Sequence, residues 1–277
     1  MSVDRRSLKA QAREKLQSAT PRPFLEGLLF VLVAGILWAI SAALVWSHVN
    51  QSALDTYFQY AQTMINTADE NFDYNAGLLA LSDYLSNNLL EPVPVIDNVF
   101  LFVLDLLRGV VAVGFSLFCL NTLRQSEASL WNLLDGFGRI LPLLLLLLVR
   151  DLLIHFLTYL LIIPGVIAFY RYRLSIYLLL DNPALNPFQC LALSGKIMRG
   201  KKWSLFLLDL SFLGWALLAV LPLSIGSSFG LSGTVLGALG SAAILVWLLP
   251  YYELSCVGFY EAVKTPIESI PPDQPAV

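Results

Sequence analysis

Between Ile140 and Asp181 the chain runs 42 residues that are almost wholly apolar. A bilayer core of about 30 Å needs about 20 apolar residues in a helix, so a single crossing cannot use them all. Four further stretches reach spanning length: Phe24–Ser47, Val99–Asn121, Ser204–Ile225 and Ser232–Val257. The whole chain is 57% hydrophobic and 13% charged, where soluble domains carry about 25% charged residues. Backbone groups in lipid must be satisfied within the chain, and apolar runs of this length do so as helices. The expected fold class is therefore all-α, a polytopic transmembrane helical bundle. Phe24 stands behind a long basic tail and lacks an obvious cleavage site, so the first run is read as a span rather than a cleaved signal peptide.

Basic residues orient the spans, because Lys and Arg mark the cytoplasmic side. Six precede Phe24: Arg5, Arg6, Lys9, Arg13, Lys15 and Arg22. None occurs over His48–Asn98, which carries seven acids. Arg124 and Arg139 follow the second run, and Lys196, Arg199, Lys201 and Lys202 follow the 42-residue run. Both flanks of that run are thus cytoplasmic, and it must cross twice. Pro164–Gly165 is its helix-breaking pair, which predicts an outer turn there between Ile140–Ile163 and Val166–Asp181. The alternative makes Val166–Asp181 an interfacial or re-entrant helix.

The organisation expected from the sequence has three parts. Residues 1–23 form a cytoplasmic basic amphipathic helix, and residues 258–277 a cytoplasmic tail. Between them lies a transmembrane domain, 24–257, with spans near 24–47, 99–121, 140–163, 166–181, 204–225 and 232–257. Within it, 48–98 is an acidic outer loop and 182–203 carries a cytoplasmic helix, from about Pro187 to Met198 and closed at Gly200.

Each part outside the lipid has two readings. In the first tail Leu8, Ala12 and Leu16 recur at helical spacing among basic residues, which suits attachment to anionic lipid or simple enforcement of orientation. In the outer loop Leu54, Tyr57, Phe58, Ala61, Met64, Ile65 and Ala68 form one stripe and Leu78, Leu81, Leu85 and Leu89 another. They suit a lid or, more simply, packing on the protein's own helices. Gly226, Gly230, Gly233 and Gly237 have the spacing that lets helices approach closely, with packing inside the monomer preferred over dimerisation.

Charges inside spans are costly at mid-depth unless paired or hydrated. Asp105, Arg108, Arg150, Asp151, His155, Arg171 and Arg173 make the candidate buried polar cluster. Arg171 and Arg173 point about 200° apart on a helix, so they need different partners. Asp105 and Asp151 are the acids expected to hold at least one of them. Asp209 and Glu253 are read as close enough to the inner face to reach water. The cluster is either a set of structural ion pairs or a site for an anionic headgroup or solute.

Motifs then resemble a known family. "IIPGVIAFYRYRLSIYLLLDNP", "LSGKIMRGKKW", "SFLGW", "LPYYE" and "GFYEAV" follow in order, and "GFG" at 136–138 fits too. Together they resemble the bacterial integral-membrane family of domain of unknown function 975, over roughly Leu130–Val263. The resemblance implies a multi-helix protein of the bacterial cytoplasmic (plasma) membrane and no established reaction.

Other function classes find little support. HExxH, Walker A and GxGxxG patterns are absent, and His155 sits one turn from Asp151 with no evident nucleophile or metal partner, so no catalytic residues are assigned and no enzyme is expected. The three cysteines, Cys119, Cys190 and Cys256, form no CxxC pair and neither histidine lies near one in sequence, which argues against a disulfide framework or a zinc site; no metal or cofactor is expected. Basic residues hug the membrane, which argues against nucleic acid. Membrane lipids are the expected partners, anionic headgroups being one candidate; a protein partner or homodimer has no sequence support. The sequence leaves a non-enzymatic structural, regulatory or lipid-associated bundle first, and a transporter or channel-like protein second.

Overall fold

A computed structural model describes residues 4–19, 22–49, 51–67, 74–88, 94–124, 126, 129, 131, 138 and 140–264. Among them the chain is helical: α1 Arg5–Ser18, α2 Pro23–Ser47, α3 Gln51–Thr67, α4 Tyr74–Asn88, α5 Val95–Arg124, α6 Ile140–Leu160, α7 Ile162–Tyr172, α8 Ser175–Asp181, α9 Pro187–Ile197, α10 Lys202–Leu210, α11 Leu213–Ser227 and α12 Gly230–Val263. Five segments are long and apolar enough to cross a membrane: Pro23–Ser47, Val95–Arg124, Ile140–Leu160, Ile162–Asp181 and Ser232–Val263. The pair α10 and α11, bent by 41°, makes a sixth. The all-α bundle of five to six candidate spans expected from the sequence is therefore present. Gly136, residues 91–93 of "EPVPV" and the tail beyond Lys264 lie outside the described residues.

The helices form two compact units, one of residues up to 34 and from 106 onward, the other of residues 35–105. The second unit contains α3 and α4, which pack on each other. Of the first outer-loop stripe, Met64 is buried, Tyr57 and Ala61 are half-buried, and Phe58 and Ile65 remain exposed; Leu78 of the second is exposed as well. The side chains of Leu54, Leu81 and Leu85, and residues 68 and 89, lie outside the described set. His48 Nε2 lies 2.9 Å from Asp97 Oδ2 in the same unit.

In the first unit the 42-residue run does turn back, but at Leu161 rather than at Pro164–Gly165. Leu161 is extended (φ −159°, ψ 137°) and α7 begins at the next residue. Pro164 and Gly165 are taken into the first turn of α7. Proline is tolerated there because first-turn N–H groups have no intrahelical acceptor. Gly165 is buried, and a Cβ on it would overlap Thr158 Oγ1, so its missing side chain lets α7 close on α6. A second interruption, at Arg173–Leu174, separates α7 from α8.

The remaining joints have equally local causes. Asn186 caps α9 by accepting from Gln189 N–H at 2.8 Å while Gln189 returns a bond to Asn186 N–H at 2.9 Å, with Pro187 at the helix start. Gly200 takes φ 78° just past the end of α9, as its position after the basic helix predicts. The α11–α12 hairpin packs through small residues: a Cβ on Gly226 would meet Gly233 O, and one on Gly237 would meet Pro222 O. Pro222 interrupts the ladder of α11, and Leu223 N–H donates to Ser241 Oγ on α12 at 3.2 Å.

The basic first helix is a strut inside the protein. Leu8, Ala12 and Leu16 are buried, and α1 packs on α12. Lys9 Nζ donates to Ser211 O at 3.1 Å and sits 4.1 Å from the Phe212 ring centre, and Arg5 reaches Leu207 O. These carbonyls belong to the joint between α10 and α11, where helix ends leave acceptors without intrahelical partners. Burial, followed by the charges of Arg13 and Arg5, lowers the Lys9 ammonium below its ordinary range. The stripe that suited lipid attachment is thus spent on the bundle.

Candidate functional site

The polar groups of the first unit gather in two places. The first lies well inside the helix ends. By the helical rise of about 1.5 Å per residue, Ser116 lies about 12 Å from Arg124, Arg150 about 15 Å from Ile140 and Glu253 about 15 Å from Val263 along their helices. Ser116 Oγ (α5) donates to Glu253 Oε1 (α12) at 2.6 Å, and Tyr177 OH (α8) donates to the same oxygen at 2.8 Å. Arg173 Nη2, at the break between α7 and α8, donates to Tyr252 OH at 3.0 Å, and Tyr252 OH donates onward to Asp209 Oδ1 (α10) at 3.0 Å. The Arg173 guanidinium also stands 5.5 Å from the Phe169 ring centre and 5.8 Å from that of Tyr252. Successive residues on a helix point about 100° apart, so Tyr252 and Glu253 serve two different neighbours from adjacent positions.

These groups border a partly open cavity of about 240 Å³. Its polar wall consists of Ser116, Arg150, Arg173, Tyr177, Tyr252 and Glu253, and Phe30, Leu147, Ile176 and Leu249 contribute to its apolar wall.

The second gathering closes the same helices at one end. Arg124 (α5) grips Asp181 (α8) through both terminal nitrogens, Nη2 to Oδ2 at 2.8 Å, and its Nε donates to Glu261 Oε1 (α12) at 2.7 Å. Tyr260 OH donates to Asp181 Oδ2 at 2.6 Å. Lys264 Nζ lies 2.8 Å from Glu261 Oε2 and 3.6 Å from Asp181 Oδ2. Two cations and two anions are satisfied within one network.

The seven residues of the predicted cluster do not form one site. Arg150 and Arg173 line the cavity. Asp151 pairs with its own neighbour, Arg150 Nε, at 2.8 Å. His155 Nδ1 lies 2.7 Å from the Asp151 carbonyl, on an exposed face. Arg171 is exposed; its side chain lies against Gly195, where a Cβ would come within 2.8 Å of Nε, and its carbonyl accepts from Ser194 Oγ at 2.8 Å. Asp105 is exposed and Arg108 half-buried, both on α5 and neither on the cavity wall. Arg173 donates to the Tyr252 phenol, where Asp105 and Asp151 were the acids expected to hold at least one of Arg171 and Arg173. Glu253, expected to reach water, is only 9% exposed.

Sequence reading passed over Ser116, Tyr177 and Tyr252 because neutral hydroxyls do not register in a count of charges. It also passed over the network around Arg124, and Glu26, which is fully buried near the start of α2 with no hydrogen-bond partner among the described residues. The quoted motifs do contain several of these residues. Asp181 stands in "LLLDNP", Tyr252 and Glu253 in "LPYYE", Tyr260 and Glu261 in "GFYEAV".

Residues 152–266 match the protein family described as Protein of unknown function (DUF975). Comparison with curated proteins and with solved structures finds no match. The matched stretch contains Arg173, Tyr177, Asp209, Tyr252 and Glu253 from the cavity region, and Asp181, Tyr260, Glu261 and Lys264 from the end network. The resemblance read from the motifs is thus shown over residues 152–266, where the chain matches domain of unknown function 975.

Proposed function

We propose that this chain is a non-enzymatic, multi-pass protein of the bacterial cytoplasmic membrane, with both ends cytoplasmic, acting as a lipid-associated structural or regulatory bundle. The observation that supports it is the way polar side chains from α5, α8, α10 and α12 satisfy one another, which fixes helix register without any bound group. Lipid association draws support from Arg6, Arg22, Lys196 and Arg199, all exposed, with Trp203 at 67% exposure in the same region of sequence as the last two. Such basic residues contribute about 1 kcal/mol each near an anionic surface.

Native mass spectrometry of the purified protein tests this reading. Retained anionic phospholipid that falls away when Arg6, Arg22, Lys196 and Arg199 are replaced by Gln supports it, and a lipid-free spectrum sinks it. Orientation is tested by cysteine labelling. Cys119, Cys190 and Cys256 are buried, so background reaction is small. A cysteine at Ser227 should react with an impermeant reagent from outside, and one at Lys196 should not. A second reading, a carrier of small anionic solutes, is favoured by the mid-depth cavity and its two arginines.

A further inference from the structure

We propose that the cavity among α5, α6, α8 and α12 binds one oxyanion group, phosphoryl or carboxylate, between the guanidinium groups of Arg150 and Arg173. The inference rests on the lipid-associated reading only in that a lipid headgroup is one source of such a group.

Depth is the first argument. A charged group some 12–15 Å into a span is costly, and the end network shows that this protein can neutralise an arginine completely. Arg124 commits all three of its nitrogens to Asp181 and Glu261. Arg173 commits one N–H of five, to Tyr252 OH, and Arg150 commits Nε, to Asp151. The donors left over belong to two planar forks that border one cavity, and such forks match the geometry of carboxylate and phosphoryl oxygens.

Rigidity is the second. Arg173 is positioned by the rings of Phe169 and Tyr252 and by a hydrogen bond relayed to Asp209, so little ordering remains to be done when an anion arrives. Size is the third. At about 240 Å³ the cavity falls below the range of about 300–1,000 Å³ usual for drug-sized ligands, which suits a small ion or a headgroup.

Glu253 sets a limit on affinity. Its carboxylate borders the same cavity and accepts from Ser116 and Tyr177 through one oxygen. The described residues contain no ion pair between Glu253 and Arg173. A bound oxyanion therefore meets one opposing charge, and removing that charge should strengthen binding. Glu253→Gln keeps an amide oxygen to accept from both hydroxyls, so it isolates the charge.

The test uses the full chain. In detergent it is titrated with inorganic phosphate; in phosphatidylcholine nanodiscs it is compared with and without phosphatidylglycerol. The readout is the midpoint of thermal unfolding, with native mass spectrometry for retained lipid. A saturable rise with phosphate assigns a free solute; a rise with phosphatidylglycerol alone assigns a headgroup. Arg150→Gln should weaken the response about tenfold, the loss of roughly one charge-assisted hydrogen-bond pair. It is the primary variant because, among the described residues, its ion pair is with a neighbour in sequence; Arg173→Lys, which keeps the charge but loses the fork, is the second. Glu253→Gln should tighten binding. The proposal is overturned if neither probe shifts the midpoint, if both arginine variants respond as the wild type does, or if Glu253→Gln weakens binding. Lipid retained equally by both arginine variants would overturn the cavity site and leave lipid association standing. A lipid-free protein that still responds to phosphate would do the reverse.

Discussion

The two polar regions of the first unit share α5, α8 and α12 and the same residue types, yet they end in different states. At the end of α5, α8 and α12, Arg124, Asp181, Tyr260, Glu261 and Lys264 satisfy one another. At mid-depth, Glu253 is satisfied by Ser116 and Tyr177, but Arg150 and Arg173 turn toward a cavity with donors to spare. A saturated network has nothing to offer a ligand. An unsaturated one at greater depth carries a standing cost, and binding is the simplest return on it.

The largest expected effect comes from breaking the saturated side. Arg124→Leu should lower stability by about 2 kcal/mol, below the ~3–5 kcal/mol of a fully buried pair because both ends are partly wet. Asp181→Leu added to it should cost less than the sum of the two singles, as coupled groups do. Chemical unfolding in detergent reads both. Strictly additive losses would mean the end network is a set of independent surface pairs, and the comparison would collapse.

Next comes Tyr252→Phe, which cuts the relay from Arg173 to Asp209. It should cost about 1–2 kcal/mol, since one buried donor and one acceptor are left without partners. Tyr177→Phe should cost about 1 kcal/mol, because Glu253 keeps Ser116 as a donor. The smallest effect belongs to Arg150→Gln. Among the described residues Arg150 pairs with Asp151 alone, whose side chain is 46% exposed, and such pairs contribute little. Stability should stay within about 0.5 kcal/mol of wild type. If Arg150→Gln instead destabilises as much as Arg124→Leu, the mid-depth arginines are structural and the contrast between the two regions disappears.

Most of the spans were legible because a bilayer imposes a length and an apolar composition that can be read by counting. The hairpin inside Ile140–Asp181 was legible too, from the basic residues on its two flanks. Its turn was misplaced by three residues because proline disrupts helix interiors and not first turns, and sequence alone does not say which position Pro164 occupies. The strut role of α1 was invisible for a related reason. An amphipathic basic helix has the same pattern whether its apolar face meets lipid or Gly258 on α12, where a Cβ would lie 3.3 Å from Leu8 Cδ2.

What the sequence by itself determined is therefore one-dimensional: an all-α bundle of about six apolar segments, a helical turn-back within the longest run, close packing at the glycines of the last hairpin, and the match of residues 152–266 to a family recognised by its motifs. The tertiary structure alone decided which polar groups meet. Arg173 chose Tyr252 over Asp105 or Asp151, Arg150 took its neighbour, and Glu253 was buried by hydroxyls from two other helices. The reason is that pairing depends on the rotation of each helix about its axis and on breaks such as the one at Arg173–Leu174. Each residue added or lost before a break turns the next face by about 100°, and the spacing of charges along a chain does not carry that angle across separate helices.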